Sequence, residues 1–186
     1  LEFFSIKVPD GPLTSRLQNV RIGDEVFVSA KPTGTLVADH LLPGRNLYLL
    51  STGTGLAPFM SVIRDPEVYE RFEKIILVHG VRRVIDLAYR DMITNELPKN
   101  EFFGEEVSKQ LIYYPTVTRE EFVNTGRVTD LMLSGKIFDD IGLPTPNKDD
   151  DRFMLCARIS ARYWTIGVSR SLVRALRQNM LLSELS

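Results

Sequence analysis

Two textures of apolar and polar positions divide the chain. Up to about Pro43 the apolar residues come in short runs, LEFFSIKV, DEVFVSAK and TGTLV, parted by turn signals at Asp10-Gly11, Gly23-Asp24 and Thr33-Gly34. Runs of that length between such turns predict β structure, interrupted by one short helix from about Thr14 to Asn19. From Gly44 to Cys156 the pattern changes to apolar runs alternating with helical spacing. NLYLLS, KIILVHG, LIYYPTV and RFMLC are almost continuously apolar, as strands buried on both faces of a parallel sheet must be. Between the second and third runs, Ile85, Ala88, Tyr89, Met92, Ile93 and Leu97 recur at helical spacing, leaving Arg90, Asp91 and Glu96 for solvent. A β-rich module followed by a doubly wound α/β domain is the predicted architecture.

The last thirty residues break this pattern. Beyond Ala157 there are five arginines (158, 162, 170, 174 and 177) and one acidic residue, Glu184, so the segment carries +4 and the rest of the chain −5. Leu172, Leu176 and Met180 fall at i, i+4 spacing, which predicts a basic terminal helix; the alternative is a segment foreign to the domain before it.

Composition narrows the class. With 44% apolar and 25% charged residues the chain has the profile of an ordinary globular protein and not of a disordered one. A net charge of −1 gives no global attraction to nucleic acid or to an anionic membrane surface. The single cysteine excludes an internal disulfide and suits a reducing cytoplasm. No segment approaches the ~20 apolar residues of a membrane span. Leu1 stands where an initiator methionine would, and LEFFSIKV already reads as a strand in progress, so the chain reads as cut from something longer.

The chemistry concentrates in STGTGLAPFM, directly after the run NLYLL. Gly53 and Gly55 allow positive φ and remove side chains from the turn, while Pro58 suits the first turn of a helix running to about Ile63. A strand, a glycine turn and a helix start together present unpaired backbone N–H groups to an anion, and Thr52 and Thr54 add hydroxyl donors, so the stretch is a candidate phosphate site. The string is not Gly-x-Gly-x-x-Gly, so an ordinary dinucleotide fingerprint is absent. Thr14 and Ser15 follow Gly11-Pro12 at the start of the short helix, where either serves as an N-cap.

Arg82 follows KIILVHG, Arg119 follows LIYYPTV and Arg127 lies in the next loop. Ligands of parallel sheets bind beyond the carboxyl ends of the strands, and arginine forks suit a 2′-phosphate, hence NADP over NAD. Cys156 ends RFMLC on the same edge, as a small buried hydrophobe or in a chemical role. His40 and His79 stand isolated without metal-ligand spacing, and Asp149-Asp150-Asp151 reads as a solvated loop. No Gly-x-Ser-x-Gly, Cys-x-x-Cys or His-Glu-x-x-His occurs to support a hydrolase or zinc reading.

Taken in order, LEFFSIKV, VPDGPLTSRL, IGDEVFV, KPTGTLV, STGTGLAPFMS, ILVHGVR, LAYRDMI, YYPTVTRE, GRVTDLM, IGLP and MLC resemble the bacterial ferredoxin (flavodoxin)–NADP reductases over residues 1–156. The resemblance implies an α+β two-domain fold class. A partial antiparallel FAD-binding β-barrel would cover residues 1–43 and a parallel-sheet α/β NADP-binding domain residues 44–156. Residues 157–186 would be a divergent basic tail in place of that domain's end.

By the same resemblance Phe4, Ser5 and Ile6 border the flavin, and Pro12, Leu13, Thr14 and Ser15 hold the FAD pyrophosphate. Thr54 meets the flavin side of the glycine turn, whose other residues, Thr52, Gly53 and Gly55, meet NADP. Val81-Arg82, Thr118-Arg119 and Arg127 take the NADP adenosine and its 2′-phosphate, and Cys156 lies near the nicotinamide as a positioning group. The implied cofactors are FAD and NADP, and the implied partner is ferredoxin or flavodoxin. The implied activity is hydride transfer between nicotinamide and flavin followed by one-electron steps, in the cytoplasm.

Two departures qualify the match. The family's Arg-x-Tyr-Ser motif lies upstream of a strand like LEFFSIKV and does not occur here. After Cys156 the family's Gly-x-Pro-x-Met is replaced by Ala157-Arg158-Ile159-Ser160-Ala161, which reads as a frame change or an unrelated end. The alternatives are therefore a reductase component of an oxygenase and an inactive NADP-binding fragment.

Overall fold

A computed structural model describes residues 2–30, 34, 36–156 and 180–182. The chain divides into two compact units, residues 1–35 and 36–186.

In the first unit one helical turn forms, α1 (Thr14–Leu17), and no strand is seen among its described residues. Ile22 and Phe27 are fully exposed. A period-2 apolar pattern becomes a strand only when a partner takes its N–H and C=O groups, and the described residues supply no such ladder. The expected barrel is accordingly not shown here. The cap reading also changes. Leu13 occupies the N-cap position without a side-chain bond. The Thr14 hydroxyl instead donates to the Val8 carbonyl and accepts from its N–H, both at 3.3 Å.

The second unit is α/β. Its strands are β1 (Asn46–Thr52), β2 (Lys74–Val81), β3 (Leu111–Val117), β4 (Asp151–Cys156) and the short β5 (Met180–Leu182), all parallel in the order β3-β2-β1-β4-β5. The four apolar runs read from the sequence are the first four strands. Three of them lie inside the sheet, with β3 at its edge and only partly buried; β1, β2 and β4 are buried almost throughout, each fully buried aliphatic side chain contributing roughly 1.5–3 kcal/mol. Even-numbered residues of β1 and β2 and odd-numbered residues of β4 share one face. There Tyr48 stacks on Phe153 at 4.8 Å and meets the edge of Phe138 at 6.0 Å, over α5 (Val128–Leu133) and α6 (Lys136–Ile141). The opposite face carries Leu47, Leu49 and Ser51 of β1 and Ile75, Leu77 and His79 of β2, all buried. Helices α2 (Ala57–Val62), α3 (Pro66–Arg71) and α4 (Gly104–Gln110) also belong to this unit.

Three expectations change. The helix read over Ile85 to Leu97 is broken into a 3₁₀ turn at Val84–Asp86, a wide π-type turn at Met92–Glu96 and another 3₁₀ turn at Leu97–Lys99. Tyr89 has φ +60°, a left-handed conformation that no continuous helix accommodates, and Ile85 is exposed as a result. Asp151 is not solvated: it is buried, accepting from the Asn46 side chain at 2.8 Å and from the Asn147 N–H at 2.7 Å. Of the terminal helix positions, Leu172 and Leu176 lie outside the described residues, while Met180 stands in β5 opposite Phe153.

The first residues of the second unit are stitched to the rest of it. Arg71 donates to the carbonyls of Ala38 and Leu41, both at 3.1 Å. The buried Arg152 donates to the carbonyls of Leu42, Pro43, Lys148 and Asp149. These bonds anchor the entry to β1, whose exit is the glycine turn.

Candidate functional site

At the carboxyl edge of the sheet, β1 runs into a single 3₁₀ turn, Gly53–Leu56, and then into α2. The two glycines serve different ends. Gly53 has φ +54°, and its Cβ position has no atom of the described residues within 4 Å. Gly55 is buried against the end of β4: a methyl group there would overlap the Cys156 carbonyl oxygen and lie 2.8 Å from the carbonyl carbon. The turn is thus pressed flat over the strand next to β1, because Ser51 pairs with Cys156. Helix α2 has six residues, so its dipole adds little, and an anion would rely on the backbone N–H groups of the turn. Thr52 and Thr54 are half-buried beside it.

The arginines are placed by an extension of the β2–β3 ladder. The Thr118 N–H donates to the Val81 carbonyl at 3.1 Å and the Arg119 N–H to the Arg82 carbonyl at 2.9 Å. The Thr118 hydroxyl adds a bond to Val81 at 3.3 Å. The Glu120 carboxylate accepts the Val84 N–H and ties the two loops again. Beneath them Val81, Leu87 and Val117 form a small apolar cluster with Val84 and Phe122, and Arg90 lies over the Phe122 ring at 5.3 Å. Arg127 is carried by the next loop, which folds back on β3: the Gly126 N–H donates to Val117 at 3.0 Å, and the Thr116 hydroxyl to Gly126 at 2.8 Å. The backbones of Arg82, Arg119 and Arg127 therefore meet at the ends of β2 and β3, with all three residues exposed.

Cys156 is buried at the end of β4, as the reading of a small apolar residue requires. Of the seven positions expected around FAD, Phe4, Thr14 and Ser15 are half-buried, and Ser5, Ile6, Pro12 and Leu13 are exposed in the first unit.

Sequence reasoning passed over His79. Its imidazole is fully buried in β2, with Nδ1 3.2 Å from the Tyr113 hydroxyl and Nε2 without a hydrogen-bond partner among the described residues. Burial lowers its pKa to about 4, opposed by the Gly53 backbone. Burial likewise pushes Tyr113 up to about 12, with Arg90 opposing. The signal was present: a lone histidine inside KIILVHG interrupts an otherwise apolar strand just before its end.

Residues 49–159 match the family model described as an oxidoreductase NAD-binding domain. The chain is 70% identical over 156 residues to the ferredoxin–NADP reductase of Pseudomonas aeruginosa and 69% to that of Azotobacter vinelandii, in each case over 84% of this chain and 60% of the relative. It therefore spans about three-fifths of the length of the curated relatives it matches. Among solved structures, a ferredoxin NADP+ reductase from Neisseria gonorrhoeae with bound FAD and NADP superposes with TM-score 0.73 at 22% identity, over 93% of this chain and 64% of that one. A likeness at that identity speaks for the fold alone. The resemblance read from the motifs is borne out by the two close relatives. With more than half of its length inside the family match, the chain belongs to the oxidoreductase NAD-binding domain family.

Proposed function

We propose that this chain is part of an FAD-dependent oxidoreductase that moves electrons between NADP(H) and ferredoxin or flavodoxin. The observation that carries this reading is the glycine turn at the end of β1: Gly53 left-handed with open space before it, Gly55 flush against Cys156. Such a turn lets a diphosphate approach backbone N–H groups, and two relatives 70% and 69% identical to this chain bear the name ferredoxin–NADP reductase. Residues 1–43 belong to the FAD-binding barrel, 44–156 to the NADP domain, and 157–186 stand in place of that domain's end.

The residues present fit NADP. Arg82, Arg119 and Arg127 supply planar cationic forks for the 2′-phosphate, with Val81 and Thr118 beneath the adenosine. For FAD, Ile6 is apolar yet 59% exposed, which suits the rim of a planar ring system, beside Phe4 and Ser5. Pro12, Leu13, Thr14 and Ser15 take its pyrophosphate. When bound, the flavin supplies the chemistry that links two-electron and one-electron carriers. The protein's residues hold and orient: the turn fixes the nucleotide diphosphate, and Cys156 positions the turn through its carbonyl. No side chain acts as acid, base or nucleophile. No helix among the described residues is long and apolar enough to cross a membrane, and the proposed location is the cytoplasm.

Calorimetric titration of the chain with NADP and NAD, together with its visible absorption spectrum, tests the reading. A clear preference for NADP supports it, and flavin absorption adds the barrel. Equal affinities for the two nucleotides refute the 2′-phosphate assignment; NADP binding without flavin colour leaves the chain as an NADP-binding fragment.

A further inference from the structure

Past the last pairs of their ladder, β2 and β3 stay joined by three rungs, and the third differs in kind. The Thr118 and Arg119 N–H groups donate to the Val81 and Arg82 carbonyls. The next rung is made by a side chain: the Glu120 carboxylate accepts the Val84 N–H. The loop it grips is closed on itself. The Arg83 N–H donates to the Asp86 carboxylate, and the Asp86 and Leu87 N–H groups return to the Arg83 and Val84 carbonyls, each at 3.0 Å. Val84 and Leu87 pack with Val81, Val117 and Phe122. One carboxylate thus fastens a preformed turn, which starts at Arg82, to the strand extension that carries Arg119. A carboxylate next in sequence to Arg119 could have paired with either guanidinium. Among the described residues, neither Arg82 nor Arg119 has an ion-pair partner. Both forks are left uncommitted, on backbones bonded directly to one another.

We propose that Glu120 is a positioning residue for the choice of NADP over NAD: by accepting the Val84 N–H it holds Arg82 and Arg119 at a fixed spacing for a 2′-phosphate, and the same bond commits its carboxylate to backbone instead of to either fork. A loop fixed in advance need not be ordered when the ligand arrives, and NAD, which lacks the phosphate, gains nothing from it. The specificity half rests on the nucleotide reading above; the bond and its hold on the loop do not.

The experiment uses the whole 186-residue chain, its Glu120→Ala and Glu120→Gln variants, backbone amide exchange, and calorimetric titration with NADP and NAD. Alanine removes both the acceptor and the charge, whereas glutamine removes the charge and keeps a carbonyl oxygen to accept. In Glu120→Ala the Val84 amide should exchange about tenfold faster, the worth of one such hydrogen bond, while β2 and β3 stay protected. NADP should bind about tenfold more weakly, the cost of ordering the loop on binding, with NAD affinity unchanged. Glu120→Gln should return both Val84 exchange and NADP affinity to within about threefold of the parent. Unchanged Val84 exchange in Glu120→Ala overturns the bond. Tighter NADP binding in Glu120→Ala, or a glutamine variant that behaves like alanine, shows a carboxylate acting through its charge and overturns the positioning role. Equal losses for NADP and NAD, or faster Val84 exchange with no change in NADP affinity, overturn the specificity half. A parent chain that binds NADP no better than NAD refutes the nucleotide reading and the specificity half with it, and Val84 exchange still judges the bond.

Discussion

Replacing each turn glycine by alanine separates two reasons for glycine that a sequence cannot tell apart. In Gly53→Ala the new methyl meets no atom within 4 Å, so the cost is the left-handed φ of +54° alone, about 1 kcal/mol. In Gly55→Ala the methyl overlaps the Cys156 carbonyl oxygen and lies 2.8 Å from its carbon, where ordinary contact begins at 3.4 Å. Both sides of that collision are backbone, the turn on one hand and the end of β4 on the other. No rotamer relieves it. Overpacking at the upper end of its range, about 3 kcal/mol, is expected. With a urea m-value of about 2 kcal/mol/M, the midpoints should fall by about 0.5 M for Gly53→Ala and about 1.5 M for Gly55→Ala. Nucleotide binding should rank the other way relative to stability. The open space before Gly53 is the proposed ligand side, so Gly53→Ala should lose NADP affinity out of proportion to its small stability loss. Urea melts followed by circular dichroism and calorimetric titration on both variants give the four numbers. Equal midpoint shifts would refute the close-approach argument for Gly55. Unchanged NADP affinity in Gly53→Ala would show that the ligand does not approach there.

Other expectations are simpler. Because His79 has a pKa near 4 when folded against 6.5 otherwise, the unfolded chain binds a proton between those values that the folded chain refuses. Stability should therefore be full above pH 6.5 and fall by about 3 kcal/mol as pH drops toward 4; His79→Gln should flatten that acid limb, and an unchanged limb in urea melts across pH would refute the assignment. Arg119→Ala should weaken NADP by about 10–100-fold, the loss of one charged hydrogen-bond pair, while leaving NAD unaffected; equal losses for both nucleotides would place Arg119 elsewhere. Tyr48 buries a hydroxyl without a partner among the described residues, so Tyr48→Phe should be neutral or stabilising by about 1 kcal/mol, and a clear destabilisation would mean the hydroxyl is bonded in solution.

What the sequence determined by itself was whatever depends on local period and residue chemistry. Uninterrupted apolar runs fixed four strands and their parallel arrangement, since only a sheet covered on both faces hides such runs. The glycine turn and the three arginines were legible because parallel strands place their following loops on one edge. Tertiary structure decided everything that depends on which atoms meet. Gly53 and Gly55 look alike in the chain; register puts the Cys156 carbonyl against one and open space before the other. The helix read through Ile85 to Leu97 had the right spacing, but the left-handed Tyr89 broke it to bring Leu87 under Val81 and Val117. Asp151 read as part of a solvated loop and Arg152 as the first letter of an apolar run, yet the amino edge of the sheet buried both among carbonyls and an asparagine. His79 was a single polar letter in an apolar run. Only the neighbouring strands, with a tyrosine hydroxyl on one side, gave that letter its chemistry. Period and composition are properties of one segment, whereas an orphaned nitrogen or a forbidden methyl is a property of two segments in contact, and the contact exists only once the sheet has formed.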